Sequence, residues 1–125
     1  MAALPASLAQ SPGGGSGVPS VAIPKTTAVL VIETIKQGIT PQQVMATIPD
    51  EIQATARLYL DGKIREWYSR GDGRGVVFLL DVKTESEARE LMETLPLAKA
   101  QLMDHQYVPV GPLMPLRALN PAAFQ

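Results

Sequence analysis

Residues 63–82 read KIREWYSRGDGRGVVFLLDV, two strand-forming runs on either side of a turn at Gly71-Asp72-Gly73. In the first run Ile64, Glu66 and Tyr68 alternate with Arg65, Trp67 and Ser69, the period-2 pattern of a strand with two unlike faces. The second run, residues 76–82, is apolar except for Asp81, as expected of a strand covered on both faces. Together they predict a β-hairpin, and a hairpin at mid-chain decides what the elements around it can build.

Upstream, residues 26–35 (TTAVLVIETI) are rich in β-branched residues and apolar on both alternating sets, which predicts a first strand with both faces covered. Thr40-Pro41-Gln42-Gln43 then sets an N-cap Thr, Pro at the first helical position and Gln at the third, the form of a capping box. Val44, Met45 and Ile48 share one stripe. Pro49 interrupts the ladder, and Ile52, Ala56, Tyr59 and Leu60 resume a helical spacing up to Asp61-Gly62, so a kinked helix or two short ones are expected. Downstream, Thr84-Glu85-Ser86-Glu87 is a second capping box, followed by Ala88, Leu91, Met92 and Leu95 at helical offsets. Pro96 bends or ends that helix, a short segment reaches Leu102, and residues 105–110 read as a last strand whose Pro109 points to an edge or a bulge.

The order β-α-β-β-α-β is that of a ferredoxin-like α+β fold, a four-stranded antiparallel sheet with two helices on one face. Two helices cover one face only, whereas the first and third strands are apolar on both. The uncovered face therefore calls for a partner, and the simplest is the same face of a second copy. A homodimeric α+β barrel is expected, with a ligand pocket in its interior.

Composition narrows the function classes. At 125 residues, 46% hydrophobic and 18% charged, the chain suffices for one domain with a modest core. A formal net charge of -1 supplies no bulk attraction for nucleic acid or for an anionic membrane, and no run of about 18 apolar residues is present to span a bilayer. The lack of cysteine excludes disulfides, thiolate metal sites and a Cys nucleophile, and His105, the single histidine, excludes a multi-histidine metal centre within one chain. Residues 1–24 hold four Pro, four Gly and four Ser and no charged side chain, and are expected to form a flexible tail; residues 25–117 form the domain and residues 118–125 a C-terminal tail. Ser7-Leu8-Ala9 has the small-x-small form that precedes a signal-peptidase cut, but the basic segment and continuous apolar run of a leader are missing. A cytoplasmic location is expected, export following only if the tail is the remnant of a trimmed leader.

Candidate chemistry rests on a few polar residues. Arg70-Gly71-Asp72-Gly73-Arg74-Gly75 suggests a phosphate loop, but such a loop opens a helix and here a strand follows, so it reads as a hairpin turn. Glu66, Tyr68 and Arg70 share one face of the second strand and could bind a small oxygenated ligand; a solvated edge with cross-strand charge pairs is the alternative. Trp67, on the opposite face, is expected to pack under the helices. Glu33 interrupts an apolar strand, where an unpaired carboxylate is expensive to bury, and is expected near the exposed end. His105 and Tyr107 share a face of the last strand, as an acid, a base or hydrogen-bond donors, or as structural residues. Asp50 and Glu51 follow Pro49, either as acids favouring a helix start or with Glu51 turned into a pocket to move protons.

At Gly62-Lys63-Ile64-Arg65-Glu66-Trp67-Tyr68-Ser69-Arg70, through Phe78-Leu79-Leu80-Asp81-Val82, at Leu95-Pro96-Leu97 and at Val110-Gly111-Pro112-Leu113, the chain resembles the muconolactone delta-isomerase-like family over roughly residues 26–116. The resemblance implies a dimeric α+β barrel, often assembled into larger rings, and a cofactor-free proton shift within a small unsaturated lactone or carbonyl compound. The glutamate that carries the proton in that family falls, counting back from Gly62-Lys63, on Glu51. Glu66, Tyr68, Arg70, His105 and Tyr107 would then orient the ligand. The second strand has Glu66 and Tyr68 where the isomerase carries His and Trp, and the third begins with bulky Val76 and Phe78 where the isomerase is small or polar. Two other readings stay open: a non-catalytic small-ligand-binding or assembly module of the same fold, and a cofactor-free monooxygenase.

Overall fold

Seven elements follow one another along the chain: β1 (Ala28–Ile35), α1 (Pro41–Leu60), β2 (Ile64–Ser69), β3 (Gly75–Leu80), α2 (Glu85–Met92), α3 (Pro96–Lys99) and β4 (Met103–Val110). They come from a computed structural model that describes residues 23–113. The expected N-terminal tail, apart from its last two residues, its Ser7-Leu8-Ala9 motif and the C-terminal tail at 118–125 lie outside the described residues. The sheet is antiparallel throughout, in the order β2-β3-β1-β4. This is the expected ferredoxin-like α+β arrangement, with α3 as an additional short helix.

Local chemistry explains the boundaries. Thr40 caps α1 through a complete box: its hydroxyl accepts from the Gln43 amide, and Gln43 Oε1 accepts from the Thr40 amide at 2.8 Å. α1 is a single helix of 20 residues that runs through Pro49, where a kink or a break is expected from sequence. Met45 and Pro49 both lie on its exposed side, so water can reach the carbonyl that the missing Pro49 N–H leaves free. Thr84 caps α2 by accepting from the Glu87 amide, while the Glu87 carboxylate accepts from the Lys83 amide one residue before the cap. Pro109 sits on β4, an edge strand, where a missing donor costs no ladder bond.

Register assigns the faces. Val29, Val31 and Glu33 of β1 stand opposite Leu80, Phe78 and Val76 of β3, and opposite Pro109, Tyr107 and His105 of β4. This set faces the helices: Val29, Val31, Phe78 and Leu80 join Ile64, Ala88, Met92 and Leu95 in the main core. Burying side chains of this size stabilises the fold by about 1.5–3 kcal/mol each. The other set, Leu30, Ile32, Val77, Leu79 and Val108, forms an outer apolar face that is half-buried, and α1–α3 all lie on the opposite side. A bulge between Ile64 and Glu66 shifts the β2 register, after which Trp67 pairs with Phe78 on the helix side and Tyr68 with Val77 on the outer side.

Candidate active site

A cavity of about 340 Å³ lies between α1 and the sheet. From α1 come Ile48, Glu51, Ile52 and Thr55, at offsets of three, four and seven, which is one face of a helix. Glu33, Trp67, Val76 and Phe78 line it from the strands and Leu97 from α3. The cavity thus sits on the helix side of the sheet and is lined by residues of a single chain.

Glu51 and Thr55 are buried on this stripe, whereas Ile52 is 60% and Leu60 83% exposed. The apolar spacing of Ile52, Ala56, Tyr59 and Leu60 therefore does not mark the packed face of the helix, and Glu51 belongs to its interior and not to a helix start. Glu51 is 6% exposed. Its Oε1 accepts from the Leu97 amide at 2.9 Å. Pro96 occupies the first turn of α3, so the Leu97 N–H is one of the donors a helix start leaves without an internal partner. The other oxygen, Oε2, is buried without a partner. Burial pushes the Glu51 carboxyl above the ordinary carboxylate range; the Leu97 N–H opposes this, the Glu33 charge adds to it, and His105 draws it down. Thr55, one turn on, donates its hydroxyl to the Glu51 carbonyl at 2.9 Å.

Glu33 lies deep within the fold at 1% exposed, not near an exposed end. It shares the helix-facing parity of Val29 and Val31, and its cross-strand neighbour on β4 is His105. His105 Nε2 donates to Glu33 Oε2 at 2.9 Å, and Glu33 Oε1 is buried without a partner. Gly75 fixes the backbone here, because a Cβ at that position would lie 1.9 Å from the Glu33 carbonyl oxygen.

Of the residues singled out from sequence, Glu51 and Glu33 are the buried carboxyls that line the cavity, each with one oxygen that has no partner. His105 stands behind Glu33 and opens with Tyr107 on a separate polar cleft of about 260 Å³, lined also by Lys36, Arg89, Glu93 and Asp104. Arg89 lies 4.5 Å above the Tyr107 ring. Glu66 and Tyr68 take the outer face, where the phenol donates to the Glu66 carboxylate and its own ionisation is pushed upward by that bond. Tyr68 also borders the cavity from the edge strand. Arg70 is engaged with the Thr34 hydroxyl at 2.5 Å and with Asp72 at 2.5 Å, which holds the hairpin end beside Glu33. The sequence reading thus joined two groups that the register separates. Trp67 is on the helix side but is not covered by the helices as expected: it is 37% exposed at the edge strand and stacks on the exposed Tyr59 at the end of α1, ring centroids 4.8 Å apart.

Glu33 and Thr55 are the site residues that sequence reasoning missed. Parity with Val29 and Val31 marks the first, and the i+4 position relative to Glu51 marks the second. A buried carboxylate with one oxygen anchored and one free, at the wall of a largely apolar cavity, is chemically equipped to accept and return a proton. No protein-family model matches the chain, and no curated protein does. No helix among the described residues is long and apolar enough to cross a membrane.

Proposed function

We propose that the protein is a cofactor-free proton-transfer isomerase, of the muconolactone delta-isomerase-like kind, in which Glu51 is the general base. The observation that carries this reading is the buried Glu51 carboxyl on the cavity-lining stripe of α1, with Oε1 held by Leu97 and Oε2 without a partner. Burial raises the basicity of this carboxylate, as the removal of a proton from carbon requires. A small conjugated lactone or enone bound here loses the proton on its γ carbon to the Glu51 carboxylate. The electron pair spreads over the conjugated system, and the same carboxyl returns the proton to the far carbon. The double bond moves and the atoms balance.

The test is solvent-deuterium uptake into a panel of butenolides and enones, followed by mass spectrometry in wild type and Glu51→Gln. Uptake that depends on Glu51 is expected. No uptake with any panel member would leave a non-catalytic ligand-binding module.

The chain is further proposed to pair with a second copy through the outer face of the sheet. Leu30, Ile32, Val77, Leu79 and Val108 support this, since they place an apolar strip on two central strands and one edge. Sedimentation of the full chain tests it, a monomer at all concentrations being the contrary result.

A further inference from the structure

The cavity between α1 and the sheet runs from a buried end to an exposed one. Glu51, Thr55, Phe78 and Leu97 are buried, whereas Ile52, Trp67 and Tyr68 are exposed, so its mouth lies between α1 and the edge strand β2. Trp67 stands at this mouth. Its indole is stacked on the Tyr59 ring, centroids 4.8 Å apart and planes within 2° of parallel, so Tyr59 covers one of its two faces. Tyr59 is not among the described residues lining the cavity, but Thr55 and Ile52, one and two turns earlier on α1, are. The cavity therefore meets the indole on the side away from Tyr59. Cross-strand pairing sets Phe78 beside Trp67 on the same wall.

Such a platform selects by shape. An indole held in its plane by a second ring offers a flat, polarisable surface. A flat conjugated ring lies against it over its whole area with the gain of offset stacking, whereas a puckered saturated ring of the same size touches it at few atoms. Ile48, Ile52 and Leu97 make the rest of the wall aliphatic, which favours burial of either shape. A volume of about 340 Å³ is at the small end of ligand pockets and suits one ring. Loss of a proton from the γ carbon turns that carbon from tetrahedral to flat, so the platform meets the delocalised anion better than the ground state.

We propose that Trp67 is the specificity-determining residue of the cavity: its free face stacks a small, flat, conjugated ring and discriminates against puckered saturated ones. Tyr59 is a positioning residue, which acts on the ligand only through the indole. This deepens the isomerase reading by naming the shape of its substrate class, and rests on it only for the statement that the ligand is turned over.

Trp67 is the single tryptophan of the chain and lines the cavity, so its indole N–H resonance reports occupancy directly. The full-length protein is titrated with 2-pyrone and with δ-valerolactone, six-membered lactones alike in size and carbonyl, the first flat and the second puckered. 2-Pyrone has no tetrahedral carbon, so it probes binding apart from turnover. The indole shift is expected to saturate with 2-pyrone at a Kd lower by about threefold or more than with δ-valerolactone, and the 2-pyrone protons to move upfield, as protons above an aromatic face do. Trp67→Leu, read from the ligand protons, is expected to lose both the preference and the upfield shift. Tyr59→Leu is expected to reduce the preference, and Tyr59→Phe, which keeps the stacked ring, to retain it. A smaller preference in the wild type, no saturation with 2-pyrone, ligand protons that stay in place, or an unchanged preference in Trp67→Leu each overturns the proposal; an unchanged preference in Tyr59→Leu overturns the role given to Tyr59. If a variant does not fold, the comparison of the two lactones on the wild type still decides. A preference for 2-pyrone without deuterium uptake into any butenolide or enone would remove the isomerase and keep this platform; uptake with no preference for the flat ring would do the reverse.

Discussion

The backbone amide of Leu97 donates to Oε1 of Glu51 across 2.9 Å, joining the first turn of α3 to the middle of α1, 46 residues apart in sequence. This contact fixes the carboxyl and leaves its second oxygen buried without a partner. It also gives the Leu95-Pro96-Leu97 segment a physical role, because Pro96 starts the helix that presents the amide.

The raised Glu51 carboxyl sets the direction of a pH effect. A folded-state value above the unfolded one means that the native state holds the proton longer, so the associated stability is present in full below the unfolded carboxylate range, near 4.5, and is lost as pH rises through the folded value. Urea midpoints of the wild type are expected to fall across this window, and those of Glu51→Gln to stay flatter. An equal slope in both proteins counts against the assignment.

Neighbouring charges should move Glu51 in opposite directions. Glu33 pushes its carboxyl up and His105 pulls it down. Carboxyl-carbon NMR is therefore expected to find Glu51 titrating at lower pH in Glu33→Gln and at higher pH in His105→Gln. Displacement of both variants the same way would show that the three groups do not share one site.

Gly75 leaves no room for a side chain. A Cβ there would lie 1.9 Å from the Glu33 carbonyl oxygen and 3.2 Å from the Thr34 Cα, both backbone atoms that cannot yield without moving β1. Gly75→Ala is expected to lower stability by about 1–3 kcal/mol in chemical denaturation. Gly71→Ala, with open space around its Cβ, is the control and should cost little.

Leu79 tests the outer face. It is half-buried on β3, one of the two central strands, with its side chain directed away from the helices. Leu79→Lys is expected to convert the proposed dimer to a monomer in sedimentation while circular dichroism stays unchanged. A wild type that is already monomeric, or a Lys variant that remains dimeric, removes this face as the interface.

Much of the architecture was legible in residue order alone. Thr40, Pro41 and Gln43 mark a helix start because capping is satisfied within four residues, and Gly71-Asp72-Gly73 marks a hairpin because only local backbone geometry is involved. Period-2 alternation also put Trp67 on one face and Glu66 and Tyr68 on the other. These features depend on neighbours in the chain, so the chain specifies them.

The site is decided elsewhere. Whether Glu33 is buried, whether it meets His105 72 residues away, and whether Glu51 or Ile52 takes the buried position on α1 depend on strand register and on the rotation of a helix over a sheet. Apolar spacing misassigned that rotation because two positions of the packed stripe are polar, and a pattern built from hydrophobic residues cannot see them. Strand pairing likewise kept Glu66 and Arg70 off the cavity that Glu51 lines and left Tyr68 at its rim, since faces are related across strands only once their hydrogen bonds set the register. Sequence by itself determined the elements, their order and the fold they form; the tertiary structure alone decided which carboxylates share a cavity, because burial and pairing arise between segments far apart along the chain.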